Sequence, residues 1–142
     1  MRTIIAGDRE CEDYNVLLKA LSLAEKEGIV PSVVLSGMAR GADKLGEQYA
    51  KDNNLPLEKF AAKWDEIEGK PKAEIKENKW KKKYWVRAGF ARNQDMADNA
   101  EALVALDFGG NGTKDMIKRA EEKGLKVFVY SPTTGSTVDF WA

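Results

Sequence analysis

Apolar residues gather in short blocks separated by stretches of helical spacing. Residues 2–7 form a β-rich run ending at Gly7, with the polar turn Asp8-Arg9-Glu10 behind it. Tyr14, Leu17, Leu18 and Leu21 then recur at i, i+3, i+4 and i+7, which places them on one helix face, and Gly28 is expected to close that helix. After Pro31, residues 32–36 read as a second buried strand ending at Gly37. Gly41-Ala42-Asp43 opens a helix with Ala42, Leu45, Gly46 and Tyr49 toward the sheet, and residues 57–62 read as a third strand. A helix is expected from Arg92 through Asn99, with Met96, Ala97 and Ala100 as its apolar positions. Residues 102–108 form a buried strand that runs into Gly109-Gly110-Asn111-Gly112-Thr113 and a helix carrying Met116, Ile117 and Ala120 inward. Gly124 ends that helix, and residues 126–131 are the last strand.

Five strands alternating with helices predict an α/β fold, a Rossmann-like three-layer sandwich on a mainly parallel five-stranded sheet. Parallel neighbours need crossover connections, and these are right-handed. With the order 3-2-1-4-5, the winding reverses between the first and fourth strands, where ligands of such sheets bind. Gly7, Asp8 and Arg9 then face the glycine turn across the crevice, with Ser36 and Gly37 alongside. Free N–H groups at the helix start, glycines that let an anion approach the backbone, and a helix dipole worth roughly half a charge suit that turn to a phosphate. A plain flexible connection fits the same glycines.

Residues 63–87 change the picture. From Gly69 on, Lys70, Lys72, Lys76, Lys79, Lys81, Lys82, Lys83 and Arg87 stand against only Glu74 and Glu77, with Trp80, Tyr84 and Trp85 interleaved. This excursion reads as a solvated, partly helical segment pinned by its aromatics. It also suits single-stranded nucleic acid, with lysines on phosphates and rings on bases, or a lid over the crevice. Residues 132–142, with Pro132, Gly135, Phe140 and Trp141, read as a tail.

Composition narrows the chemistry. At 142 residues, with 43% hydrophobic and 32% charged residues, the chain is expected to be one soluble domain spanning 1–142. Lys plus Arg and Asp plus Glu both number 23, so any basic surface is local. The lone Cys11 excludes an internal disulfide, and no apolar run is long enough for a membrane helix. A cytoplasmic protein without membrane contact is expected. Histidine is absent, which removes His-dependent nucleophile systems and His-ligated zinc. No metal site is read from the sequence, and no cofactor beyond a nucleotide-type ligand.

Four stretches occur in order: Ala6-Gly7-Asp8-Arg9, Ser36-Gly37-Met38-Ala39-Arg40-Gly41-Ala42-Asp43, Ala88-Gly89-Phe90-Ala91-Arg92-Asn93-Gln94-Asp95-Met96, and Gly109-Gly110-Asn111-Gly112-Thr113. Together they resemble the SLOG superfamily, which includes DprA/Smf and LOG proteins, and more closely its small stand-alone YspA/YpsA-related members of bacteria and phages. The second stretch is similar to the SG-x-A-x-G-[IA]-D signature of DprA proteins, whose fold binds single-stranded DNA. The fourth is similar to the PGG-x-GT-x-x-E signature of LOG enzymes, which cleave the N-glycosidic bond of nucleoside monophosphates.

The resemblance implies a nucleotide or nucleotide-derived ligand at the strand ends, bound by a sensor or a sequestering protein, and a homo-oligomer. The residues it implies are Gly7, Asp8, Arg9, Ser36, Gly37, Ala39, Gly41, Asp43, Arg92, Asn93, Gly109, Gly110, Asn111, Gly112 and Thr113. Arg9 and Arg92 are expected to clamp phosphate, since a guanidinium binds two oxygens at once, although each also suits an ordinary salt bridge. Thr113 is expected to donate its hydroxyl to phosphate, Ser36 and Gly37 to line the ribose or base region, and Asp43 to accept from a sugar hydroxyl or to stabilise its helix. A LOG-like N-glycosidase or phosphoribohydrolase is a second reading, with Arg92 and Asp115 as catalytic candidates. Phe108 and Met116 replace the LOG proline and glutamate, and Asn93 replaces a lysine. Met116 cannot stabilise an oxocarbenium-like state or guide a water. Asp115 lies about 100° away around the helix.

Overall fold

A computed structural model describes residues 1–131; the tail read at 132–142 lies outside the described residues. The described residues form seven strands, β1 (Arg2–Gly7), β2 (Val33–Ser36), β3 (Leu57–Lys59), β4 (Ile75–Glu77), β5 (Lys83–Trp85), β6 (Ala102–Leu106) and β7 (Lys126–Tyr130), and four helices, α1 (Tyr14–Lys26) after β1, α2 (Ala42–Asp52) after β2, α3 (Ala88–Asn99) after β5 and α4 (Asn111–Glu122) after β6. The main sheet is parallel, in the order β3-β2-β1-β6-β7. Its numbering departs from 3-2-1-4-5 because β4 and β5 intervene in the chain as a separate antiparallel hairpin.

Strand side chains alternate between two faces, and the core divides accordingly. Ile5, Val34, Val104, Leu106 and Phe128 pack with Leu17 and Leu21 of α1 and Leu45 of α2. Ile4, Leu35, Leu103 and Ala105 pack on the other face with Met96 of α3 and with Met116 and Ala120 of α4. The result is the expected α/β three-layer, Rossmann-like arrangement. The helices approach closely where side chains are small. A Cβ on Gly46 would sit 2.8 Å from Ile5 Cβ, and one on Gly7 would sit 2.8 Å from Ala42 Cβ of α2.

Several boundaries differ from the sequence reading: β2 begins at Val33, β6 ends at Leu106 rather than at 108, and β7 ends at Tyr130. β3 stops at Lys59, although the Phe60 N–H still reaches the Ser36 carbonyl at 2.8 Å. α3 starts at Ala88 rather than Arg92, because Gly89 is tolerated within the helix where it leaves room for the Trp64 ring; a Cβ there would lie 3.3 Å from Trp64 Cη2. The helical part of the basic excursion is one short 3-10 turn at Lys72–Glu74, and it is followed by a two-stranded hairpin that the sequence reading did not contain. Asn78 fixes its turn by accepting the Trp80 and Lys82 N–H groups at 2.9 and 3.0 Å, with Lys81 at φ 61°. Such Asn-capped turns compete with helix. The Trp85 indole N–H donates to Glu74 Oε1 at 3.0 Å, and Trp80 at the tip is 75% exposed.

Candidate functional site

The sheet winds outward in opposite directions from β1 and β6, and their carboxyl ends form the crevice. The turn after β1 carries Asp8 and Arg9. The loop before α2 lies against it: the Ala42 N–H donates to the Asp8 carbonyl at 3.2 Å, and a Cβ on Gly41 would fall 2.5 Å from the Arg9 carbonyl oxygen. With φ at 77°, Gly41 meets both a steric and a conformational requirement that other residues would not. Met38 holds φ 64° in the same loop, a conformation unfavourable for its side chain and sustained by the surrounding bonds.

Those bonds define Ser36 and Asp43. Ser36 is fully buried; its hydroxyl donates to Glu47 Oε2 at 2.7 Å and accepts the Met38 N–H at 3.0 Å. It shapes the loop from below and does not line the ribose region expected of it. Asp43 is 5% exposed and accepts the Ala39 N–H at 3.1 Å. Burial pushes its carboxyl up to about 6, and the Glu47 charge pushes the same way, against the Ala39 N–H and Arg92.

Arg92, in the first turns of α3, reaches across to donate to the Gly37 carbonyl and to Asn93 Oδ1. Gly37 permits this approach, since a Cβ would lie 2.8 Å from both Arg92 Nη1 and Asp43 Oδ2. Burial lowers the Arg92 pKa and Arg9 lowers it further, while Asp43 opposes both. Among the described residues neither Arg9 nor Arg92 lies within 4.0 Å of a carboxylate.

At the head of α4 the chain supplies its own anion. Asp8 accepts the Gly110 N–H at 2.9 Å and the Thr113 hydroxyl at 2.5 Å. Thr113 therefore does not present a free hydroxyl to phosphate, which corrects the sequence reading. The N–H groups of Asn111, Gly112 and Thr113 have no helical acceptor, as at any helix start. Gly109 donates to Asp107 Oδ1 at 2.7 Å and stands outside the cavity. Asp115 is also outside, accepting from Asn93 Nδ2 at 3.0 Å and Arg119 Nε at 2.8 Å, so its place as a catalytic candidate is not supported by position.

A cavity of about 340 Å³ brings together Gly7, Asp8, Arg9, Ala39, Asp43, Arg92, Asn93, Gly110, Asn111, Gly112 and Thr113. Its apolar lining includes Met96 and Met116, both 1% exposed and part of the core. Their helical spacing gave no sign that one edge of each faces a cavity. A second hollow of about 470 Å³ adjoins the first along Arg9, Ala39 and Arg92, and is completed by Gly37, Met38, Arg40, Ala61, Ala62 and Trp64. Trp64 is a further residue the sequence reading missed; only the packing of the loop after β3 brings it there. Among the described residues no cluster of three or more Cys, Asp or Glu is arranged to hold a metal, and no helix is long and apolar enough to cross a membrane.

Residues 1–66 match the family model described as YAcAr, the YspA, cpYpsA-related SLOG family. No curated protein matches the sequence. The fold is similar to the X-ray structure of DNA processing protein A (DprA) from Streptococcus pneumoniae, with a TM-score of 0.64 and 19% identity over 94% of this chain and 52% of that one. The chain thus spans about half the length of that protein, and at this identity the likeness is one of fold. The family match covers the first two of the four motifs, within residues 1–66, and does not extend to the stretches at 88–96 and 109–113.

Proposed function

We propose that this SLOG-like chain binds a nucleotide or nucleotide-derived ligand at the carboxyl ends of β1 and β6, as a sensor or a sequestering protein. The observation that carries this reading is the pair Arg9 and Arg92, two guanidiniums on one cavity wall with no carboxylate in contact among the described residues. Like charges placed together, Arg92 half-buried and Arg9 exposed beside it, favour a bound anion that each can grip with two N–H groups. Deeper in, Asp8 and Asp43 are acceptors suited to the hydroxyl or amino groups of a nucleoside.

Titration calorimetry with a panel of nucleoside mono- and diphosphates tests this. Binding by wild type, weakened about tenfold or more by Arg9→Ala and by Arg92→Ala, is the expected result. No binding across the panel, or binding indifferent to both substitutions, overturns it. Chromatography of the same mixtures covers the N-glycosidase alternative. Met116 fills the LOG glutamate position, so cleavage would need a carboxylate from Asp8, Asp43 or Asp107, and base release abolished by Asp43→Asn would favour it.

The hairpin supports a second reading, contact with single-stranded nucleic acid. Trp80 projects at its tip with Lys79 Nζ 4.5 Å from the ring centroid, and Lys81, Lys82 and Lys83 follow. Salt-sensitive oligonucleotide binding that vanishes when Lys81, Lys82 and Lys83 become Glu is the expected outcome; indifference removes this reading.

A further inference from the structure

The two adjoining hollows differ in charge. The strand-end cavity sets Asp8, Glu10 and Asp43 against Arg9 and Arg92. The outer cleft is lined by three guanidiniums, Arg9, Arg40 and Arg92, with no carboxylate among its described lining residues. Arg40 is 72% exposed and only 4.0 Å from Glu10, a contact too long and too solvated to neutralise it. The shared wall is therefore the natural place for phosphate, with a hydroxyl-rich group on one side of it and open cationic space on the other.

Trp64 decides what that outer space suits. Its carbonyl accepts the Trp85 N–H at 2.8 Å, its ring meets Tyr84 with centroids 6.3 Å apart and planes at 66°, and its far edge abuts Gly89. The ring is held in place, yet the residue stays 39% exposed. Ala61 and Ala62 beside it leave the cleft open. A fixed indole, guanidiniums and small neighbours make a stacking platform for a planar ring.

We infer that the Trp64 cleft is a second ligand subsite, so that the molecule this protein is built to hold carries a phosphate bridge with a ring at either end. This rests on the proposed nucleotide reading and extends it. A nucleoside occupies the strand-end cavity, the phosphates lie on Arg9 and Arg92, and the second ring stacks on Trp64 near Arg40.

Calorimetry with adenosine diphosphate and with diadenosine diphosphate separates the two levels, since the probes share the phosphate bridge and differ by the far adenosine. Diadenosine diphosphate is expected to bind wild type about tenfold more tightly. That advantage should be lost in Trp64→Ala and kept in Trp64→Phe, with adenosine diphosphate affinity unchanged in both. Ala61→Leu, at an exposed position that leaves the Trp64–Tyr84 contact intact, should also remove the advantage by filling the cleft, and so covers the case in which Trp64→Ala disturbs folding. Equal affinity of wild type for the two probes, or equal weakening of both by Trp64→Ala, overturns the second subsite; the nucleotide reading survives if adenosine diphosphate still binds in an Arg92-dependent way. Binding of neither probe overturns both.

Discussion

Asp8 and Thr113 are joined across 105 residues of sequence, the Thr113 hydroxyl donating to Asp8 Oδ1 at 2.5 Å while the Gly110 N–H holds Oδ2 at 2.9 Å. A carboxylate at a helix start satisfies orphan donors and complements the dipole. Where the glycine turn suggested an open phosphate cradle, a side chain from the turn after β1 holds much of the position. It also ties α4 to the neighbouring strand end.

Removing that carboxylate has two separable effects. Asp8→Ala is expected to lower stability by about 1–2 kcal/mol, since it strips the Gly110 N–H and the Thr113 hydroxyl of their acceptor. The vacated helix start then becomes an anion site, so sulfate should raise the melting temperature of the variant more than that of wild type at matched ionic strength. Equal sulfate effects on both would show that Asp8 does not compete for that position.

Charge alone does not replace the Arg92 fork. Arg92→Lys retains a cation but gives up the planar donor set that spans Gly37 and Asn93. Its affinity for a nucleoside monophosphate is expected to fall about tenfold, between wild type and Arg92→Ala. Calorimetry checks the order of the three proteins, and a lysine variant equal to wild type would reduce Arg92 to a point charge.

Asp43 makes stability depend on pH. Its folded pKa, about 6, lies above the ordinary 3.8, so the folded protein binds a proton that the unfolded chain does not. This contribution is fully present below about 3.8 and is lost as pH rises through about 6. By about 7 the fold carries a buried carboxylate, a difference on the order of 1–3 kcal/mol. Asp43→Asn should flatten this window: in urea titrations its stability relative to wild type should be higher at neutral pH than at about pH 4. A constant offset across that range would contradict the assignment.

Gly46 tests the seam between α2 and β1. Alanine is the better helix former, by up to about 1 kcal/mol. Here its Cβ would meet Ile5 Cβ at 2.8 Å, an atom fixed to the strand backbone. Gly46→Ala is therefore expected to destabilise by about 1–3 kcal/mol in chemical denaturation, opposite in sign to its propensity. A stabilised variant would mean that the layers separate at little cost.

Much of the architecture was legible locally. Ile4-Ile5-Ala6 and the 102–106 run have no polar face, as a strand covered on both sides requires, and the periods of α1, α2 and α4 set most of their inward stripes, although Leu18, read as part of the α1 face, is exposed. Gly28 and Gly124, both at positive φ, end α1 and α4 as expected. The motifs also led to Arg9, Asp43, Arg92 and the α4 head, because residues at strand ends are gathered by the topology itself. What local pattern could not decide was which donors remain free. Ser36 turns to Glu47, Thr113 to Asp8 and Asp115 to Arg119, each partner brought by tertiary packing or by a helix turn already committed. The hairpin and the Trp64 cleft were equally out of reach. A lysine-rich run has no hydrophobic period, and one tryptophan in a loop takes its role only from what packs around it.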